Sequence, residues 1–438
     1  MKNGRIKKSM VAAFMVSVLA GSTARAEQGA PLEELESLKR MVQDVILQNE
    51  ELRRRVRELE AAMPKRGLAP EEPAKAPAEE APNEPAKSVA KELPSEPVRV
   101  GKATRDKIQV GGAIEIEVKK GRNFRGVRSS ELTLGTAEFD FEADVVDWAK
   151  AELSLQSITR TNSFPATPDD KITVNEALIT FAKPSVLPLY MRAGRGVLPF
   201  GISTGTTVAA RLEESLTITG PLTLEIFEAK EDHVLLGYKD HGFNVAAYVY
   251  NGDTNNGVRE KHLEHYGFAL GYGQKGETLS FDVGIGWMDS VFDTDGLSTA
   301  FPELVLRPKR AYTPGVAAYA RVGLFGFSLI VEYDTAVREV TFTRGTQDLR
   351  TQPAAWQVEL GYTTRLFGLR PFGAFNYSKT YQMLGAFPQR RTLFTVGSWL
   401  SENIRAALEY ANEQDYNKTH GGTNRDSDTW TLRLTYEW

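Results

Sequence analysis

After Lys107 the sequence is dominated by stretches of about ten residues in which apolar and polar side chains alternate, and this period sets the fold class. Phe139, Phe141, Ala143 and Val145 alternate with Glu138, Asp140, Glu142 and Asp144. Leu279, Phe281, Val283, Ile285 and Trp287 alternate with Ser280, Asp282, Gly284 and Gly286. Trp356, Val358, Leu360 and Tyr362 do so against Gln357, Glu359 and Gly361, and Ile404, Ala406, Leu408 and Tyr410 against Arg405 and Glu409. A period of two is a strand with a different environment on each face, and about ten residues is what a tilted strand needs to cross a bilayer. The chain closes on the same pattern, TLRLTYEW, with Leu432, Leu434, Tyr436 and Trp438 on one face and Thr431, Arg433, Thr435 and Glu437 on the other.

The links between strands alternate in length. Asp147–Ala149, Pro184–Pro188, Lys239–His241, Gln274–Gly276, Leu324–Phe325, Phe367–Leu369 and Ser401–Glu402 are short. Near 119–131, 158–171, 196–231, 251–263, 289–312, 336–354, 379–390 and 411–428 they are long and rich in Gly, Asn, Asp, Thr and Pro. Seven short and eight long links imply about sixteen strands with both ends on the short-turn side. That is the arrangement of an all-β, antiparallel transmembrane barrel with periplasmic turns and long outer loops. A soluble antiparallel sandwich would share the alternation but not this asymmetry. Lipid is then the partner of the outer face.

The N-terminus gives the compartment. Lys2, Arg5, Lys7 and Lys8 precede the apolar run Met10–Ala20 and the triplet Ala24-Arg25-Ala26, which together read as a secretory leader over residues 1–26. The run is too short for a transmembrane helix. The expected address is a Gram-negative outer membrane, reached through the periplasm.

Residues 31–63 carry a heptad. Leu35, Val42, Asn49, Val56 and Met63 occupy a positions, and Leu38, Val45, Leu52 and Leu59 occupy d positions. This is a coiled-coil seam, in which a lone Asn at a fixes register, the role expected of Asn49. Val at a with Leu at d favours a dimer, but apolar Met41 and Ile46 widen the stripe at mid-coil, so a trimer is preferred. The Pro/Ala/Glu/Lys-rich stretch 64–100 follows as an extended spacer, and residues 101–438 form the barrel.

Composition excludes several functions. The chain has no cysteine, five histidines, and 53 Lys+Arg against 57 Asp+Glu. Thiolate chemistry is ruled out, and the near-balanced charge gives no reason to expect nucleic acid. His233, His241, His262, His265 and His420 fall in or near loops and form no Ser-His constellation, so the chain reads as a non-enzyme without cofactor or metal. Asn251, Asp253 and Asn255 before Gly257 resemble a calcium loop only faintly, because His262 stands where a bidentate Glu belongs.

If apolar side chains face lipid, their neighbours line the lumen. Glu138, Asp140, Glu142 and Arg192 are candidates on strands, and acids outnumber bases there about two to one by sequence, which predicts a mild cation preference. Many of these charges are expected to brace one another across strands. The longest link, 196–231, follows the fifth strand and is placed to fold inward; with its borders it offers Arg195, Arg211, Glu213, Glu214, Glu225, Glu228, Glu231 and Asp232 as constriction residues.

LYMRAGRGVLPFG (Leu189–Gly201), GPLTLEIFEAKEDHVLLGY (Gly220–Tyr238), GFNVAAYVYNGDTN (Gly242–Asn255) and ITVNEALITF (Ile172–Phe181) resemble the corresponding blocks of the LbtU family of siderophore porins. The resemblance covers most of 107–438. It implies a sixteen-stranded outer-membrane porin that takes part in siderophore-linked iron uptake by passive or facilitated diffusion, with a ferric siderophore or another small solute as cargo. It transfers no ligand-contact residue. The alternatives are a general or anion-selective porin, which would want a Lys/Arg ladder, and an envelope tether that uses the coil. A terminal aromatic after alternating apolar residues, here Tyr436 and Trp438, also resembles the signal read by the barrel assembly machinery.

Overall fold

The computed structural model describes residues 108–158, 171–202, 207–210, 215–253, 255–256, 263–276, 278–307 and 312–438, all within the compact unit Ser88–Trp438. The leader, the heptad with Asn49, the spacer, and Arg211, Glu213 and Glu214 lie outside the described residues. Sixteen antiparallel strands close into one barrel. They are β1 Ile108–Arg122, β2 Arg128–Val146, β3 Ala149–Ile158, β4 Thr173–Ala182, β5 Leu189–Val197, β6 Lys230–Asp240, β7 Phe243–Tyr250 and β8 His265–Lys275. The remaining eight are β9 Leu279–Met288, β10 Gly315–Leu324, β11 Phe327–Ala336, β12 Ala354–Thr363, β13 Arg370–Tyr381, β14 Arg390–Trp399, β15 Ile404–Gln414 and β16 Asp426–Glu437. Every strand pairs with its neighbour in sequence, and β16 returns to β1 from Ala113↔Glu437 to Arg122↔Asp428.

The short turns use the chemistry of tight hairpins. His241-Gly242, Phe325-Gly326 and Phe367-Gly368 are left-handed pairs with φ of 50° and 85°, 50° and 85°, and 51° and 79°, which matches the right-handed twist of the flanking strands. One expected long loop is short. Around 119–131 the strands run on, pairing as far as Arg122↔Arg128, and leave only residues 123–127 as a turn. There Asn123 Oδ1 accepts from the amides of Arg125 and Val127 at 2.9 and 3.1 Å. Polar strand ends that rise above a membrane look like loop in sequence.

The register of β1 on β2 steps from Ile116↔Leu134 to Glu115↔Thr136, leaving Gly135 as a bulge. An extra residue flips the alternation. Leu132 and Leu134 before the bulge and Phe139 and Phe141 after it therefore share the outer face, where all four are exposed.

The outer face is apolar and open; the inner face is packed. On β16, Leu432 and Leu434 are 50% and 45% exposed, whereas Thr431 and Thr435 are buried. The same contrast runs round the barrel through Val283 and Ile285, Leu329 and Val331, and Phe394 and Val396. Water would not tolerate so continuous an apolar belt, and its alternation with an internal polar face marks a membrane-spanning barrel.

Candidate functional site: the lumen and its inward loop

The link between β5 and β6 leaves the wall at Leu198-Pro199-Phe200-Gly201. Phe200 is buried against the wall, and Gly201 takes φ +75°. A Cβ on Gly201 would stand 2.6 Å from Glu332 Oε1 on β11. Glycine is therefore required twice here, for the left-handed turn and for the close approach that aims the chain inward. Gly201→Ala is expected to displace the loop and lower barrel stability by about 1–3 kcal/mol. Thermal unfolding of the purified protein checks this, and an unchanged midpoint would mean the turn relaxes freely.

Beyond Gly201 the loop is tied to inward-facing residues of many strands. The Ile202 amide donates to Glu332 Oε1 at 2.6 Å, and the Val208 amide to Glu138 Oε1 on β2 at 2.9 Å. Glu359 on β12 accepts from the Leu216 amide at 2.9 Å and the Ser215 hydroxyl at 2.6 Å. Glu409 on β15 takes two consecutive amides, Ile218 at 2.6 Å and Thr219 at 2.9 Å. Arg405 on β15 donates to the Leu216 carbonyl at 2.6 Å. Arg391 on β14 donates to the Gly220 carbonyl at 2.7 Å. A six-residue helix, α1 Leu222–Phe227, follows. Its Thr223 hydroxyl donates to Glu332 Oε2 at 2.5 Å. Its Glu225 pairs with Arg391 at 2.6 Å, and Glu413 holds the same guanidinium at 2.7 Å.

These ties fix a hydrophobic core inside the barrel. Leu198, Phe200, Leu222, Ile226 and Phe227 of the loop pack with inward residues Leu235, Tyr248, Met288, Ala317, Ala336 and Ala355. Val291, Phe292, Leu297, Phe301 and Leu304 of the β9–β10 link join them, with Val340 and Phe342 of a hairpin between β11 and β12. Arg344 of that hairpin clamps Glu303 through Nε at 2.6 Å and Nη2 at 2.9 Å, and this hydrogen bonding holds the Glu303 carboxyl below its ordinary range. Lower on the wall, Ile218 and Leu216 pack on Phe372, Ala407 and Trp399.

Charge open to the lumen remains on β2, β3 and β5. Lys150 bridges Glu142 at 2.6 Å and Glu152 at 3.4 Å, and Arg192 reaches Glu152 at 3.7 Å. Their side chains are 22–33% exposed. Where the barrel closes, at β1 and β16, Arg433 Nε donates to Glu117 at 2.7 Å and Arg433 Nη1 to Glu115 at 3.2 Å.

The sequence candidates separate accordingly. Arg192 and Glu142 meet in one charged row; Asp140 lies inward beside it and is half-buried. Glu138 and Glu225 serve to anchor the loop. Glu231 is buried on the inner face, its carbonyl 2.9 Å from His233 Nδ1. Glu228 ends α1, and its carbonyl accepts from the Asp295 amide at 2.8 Å. Arg195 and Asp232 differ from expectation: they pair with each other at 3.5 Å on the outer face, in phase with exposed Met191 and Val234. The strand periods of β5 and β6 already contain that phase, but counting from the loop rather than along the strand hides it. The anchoring carboxylates Glu359 and Glu409 were legible as inward acids, yet their partners include backbone amides of the loop, which leave no mark in sequence. This is also why the acid excess does not translate into open charge.

At the closing strand, Trp438 exchanges backbone hydrogen bonds with Gly112, 3.1 Å from its own amide and 3.3 Å to its carbonyl. Its ring lies over Gly112, where a Cβ would come within 2.5 Å of it, and stacks on Tyr436 at 5.9 Å.

No protein-family model matches the chain. Over 340 residues it is 27% identical to a UPF0422 protein of Coxiella burnetii, covering 73% of this chain and 67% of that one. A UPF0422 protein of Legionella pneumophila is 24% identical over 341 residues, 71% of this chain but only 60% of the relative's length. Among solved structures, the barrel is similar to OmpF of Salmonella typhi in complex with daunomycin, with a TM-score of 0.51 at 12% identity over 76% of this chain and 98% of that one. It is also similar to the outer membrane channel DcaP of Acinetobacter baumannii, with a TM-score of 0.50 at 11% identity over 77% and 99%.

Proposed function

We propose that the protein is an outer-membrane porin through which small solutes diffuse, and that it takes part in siderophore-linked iron uptake. The observation that carries the channel reading is the inward loop, tied by wall carboxylates of β2, β11, β12 and β15 within the lumen, while the charged row Glu142, Lys150, Glu152 and Arg192 stays partly exposed. Sixteen strands leave an aqueous interior, and a loop anchored within it narrows the path without a separate plug domain. The similarity in fold to a protein described as an outer membrane channel is in keeping with this. The iron reading rests on the sequence blocks that resemble siderophore porins. The terminal Tyr436 and Trp438 are proposed as the signal for the barrel assembly machinery, and the heptad as the support of a trimer.

Two bases and two acids in the open row give weak charge selection. Single-channel recording of the reconstituted protein should show stable conductance, interrupted by ferric siderophore. A sealed bilayer at all protein concentrations would sink the channel. A deletion strain that grows as wild type under iron limitation, with unaltered siderophore use, would remove the iron assignment and leave the channel. A reversal potential showing strong anion selectivity in a salt gradient would favour the anion-porin alternative.

A further inference from the structure

We propose that the extended rim of β1 and β2, with the β15–β16 link beside it, is a binding site for the phosphorylated headgroup of an outer-leaflet glycolipid. Lys120, Arg122 and Arg128 lie on the outer face of the hairpin, in phase with exposed Val118 and Leu132. Arg125 stands at its tip, and Arg425 donates from Nη1 to the Arg125 carbonyl at 3.2 Å, which brings a fifth cation alongside.

Three features of this cluster point to an anion. Arg122 and Arg128 are direct cross-strand partners, and like charges placed opposite one another destabilise a sheet. Asp428 relieves part of this, at 3.3 Å from Arg122. Among the described residues, Lys120, Arg125 and Arg128 have no carboxylate partner, and all three are exposed. On the outer face of this cluster the other acid is Asp426, so five cations stand against two carboxylates there; Asp415 of the link is buried and accepts from Thr423. The second feature is shape: Arg122, Phe124, Gly126, Arg425 and Asp426 line a cavity of about 330 Å³, room for a phosphate and part of a sugar. Height is the third. Lys120 pairs in register with Trp430, whose exposed ring packs on Tyr410 at 4.9 Å. Such aromatic pairs mark the interface between hydrocarbon and headgroup. The cations therefore begin at the level where headgroup phosphates lie and extend above it.

A free phosphate and a lipid phosphate present the same chemistry, but the outward aim and the apolar belt directly below favour the lipid. The site rests on the outer-membrane reading for its orientation and is independent of what the lumen conducts. Its test uses the full-length protein in mild detergent and needs no transport. Native mass spectrometry and thermal unfolding are measured with bisphosphorylated lipid A, with its dephosphorylated form and with inorganic phosphate. Bisphosphorylated lipid A is expected to remain bound and raise the unfolding midpoint, with little effect from the other two. The triple variant Lys120→Gln, Arg125→Gln, Arg128→Gln is expected to weaken that binding by about a hundredfold, with the conductance unchanged and the lipid-free midpoint unchanged or slightly raised, because the Arg122–Arg128 repulsion is relieved. Lys275→Gln, at the opposite end of the barrel, should leave binding intact. Equal stabilisation by inorganic phosphate, equal binding of the dephosphorylated lipid, or full retention of lipid A by the triple variant would each overturn the proposal.

Discussion

Replacing Glu359 and Glu409 together by alanine is expected to free the β5–β6 loop, producing a larger and noisier conductance and an earlier thermal transition. The two carboxylates accept from three amides and one hydroxyl of residues 215–219. Bonds to a charged acceptor contribute about 1.5–3 kcal/mol each, and an amide left buried without a partner costs about 1–3 kcal/mol. For four bonds the combined loss is of order 6–12 kcal/mol, enough to populate a released loop even with the apolar contacts of Ile218 and Leu216 intact. Glutamine at both positions keeps an acceptor oxygen and should fall between. Planar bilayer recording separates the outcomes. If the alanine pair gives the wild-type current level and noise, the tether does not control the path.

Deleting Trp438 is expected to lower the amount of protein inserted in the outer membrane several-fold while leaving the finished barrel nearly as stable. What the residue contributes to the finished structure is confined to one end. Its ring covers Gly112 and stacks on Tyr436, and its backbone adds one pair of bonds to a β1–β16 seam already paired from Ala113↔Glu437 to Arg122↔Asp428. The loss in stability is about 1–2 kcal/mol. If the proposed recognition by the assembly machinery holds, the effect on insertion is far larger. Quantifying membrane-inserted protein in cells beside thermal unfolding of refolded protein distinguishes the two. Normal insertion of the truncated chain would refute the recognition role, and a stability loss that matches the insertion defect would make the residue merely structural.

The outer face was legible because lipid imposes a strict demand on every second residue. Leu432, Leu434 and Tyr436 could be assigned from period alone, as could the strand number, because tight turns punctuate the pattern. The inner face was not so constrained. On β7, FNVAAYVY, both faces are apolar: Val245 and Val249 point out, while Ala246, Tyr248 and Tyr250 are buried inside. Such a strand has no alternation to read, so a lumen that is partly a hydrophobic core passes for ordinary strand hydrophobicity. The inward course of the β5–β6 loop was anticipated from its length and position, but not its anchors. An acid that will cap an amide and one that will face an ion are the same letter, and only tertiary geometry separates Glu409 from Glu142.

The core inside the barrel also sets what kind of object this is. Phe227, Phe292 and Phe301 are fully enclosed, and the links that carry them enter from the long-loop end, where the ring of sixteen strands is open. The barrel is built like a soluble protein on its inside and like a membrane protein on its outside.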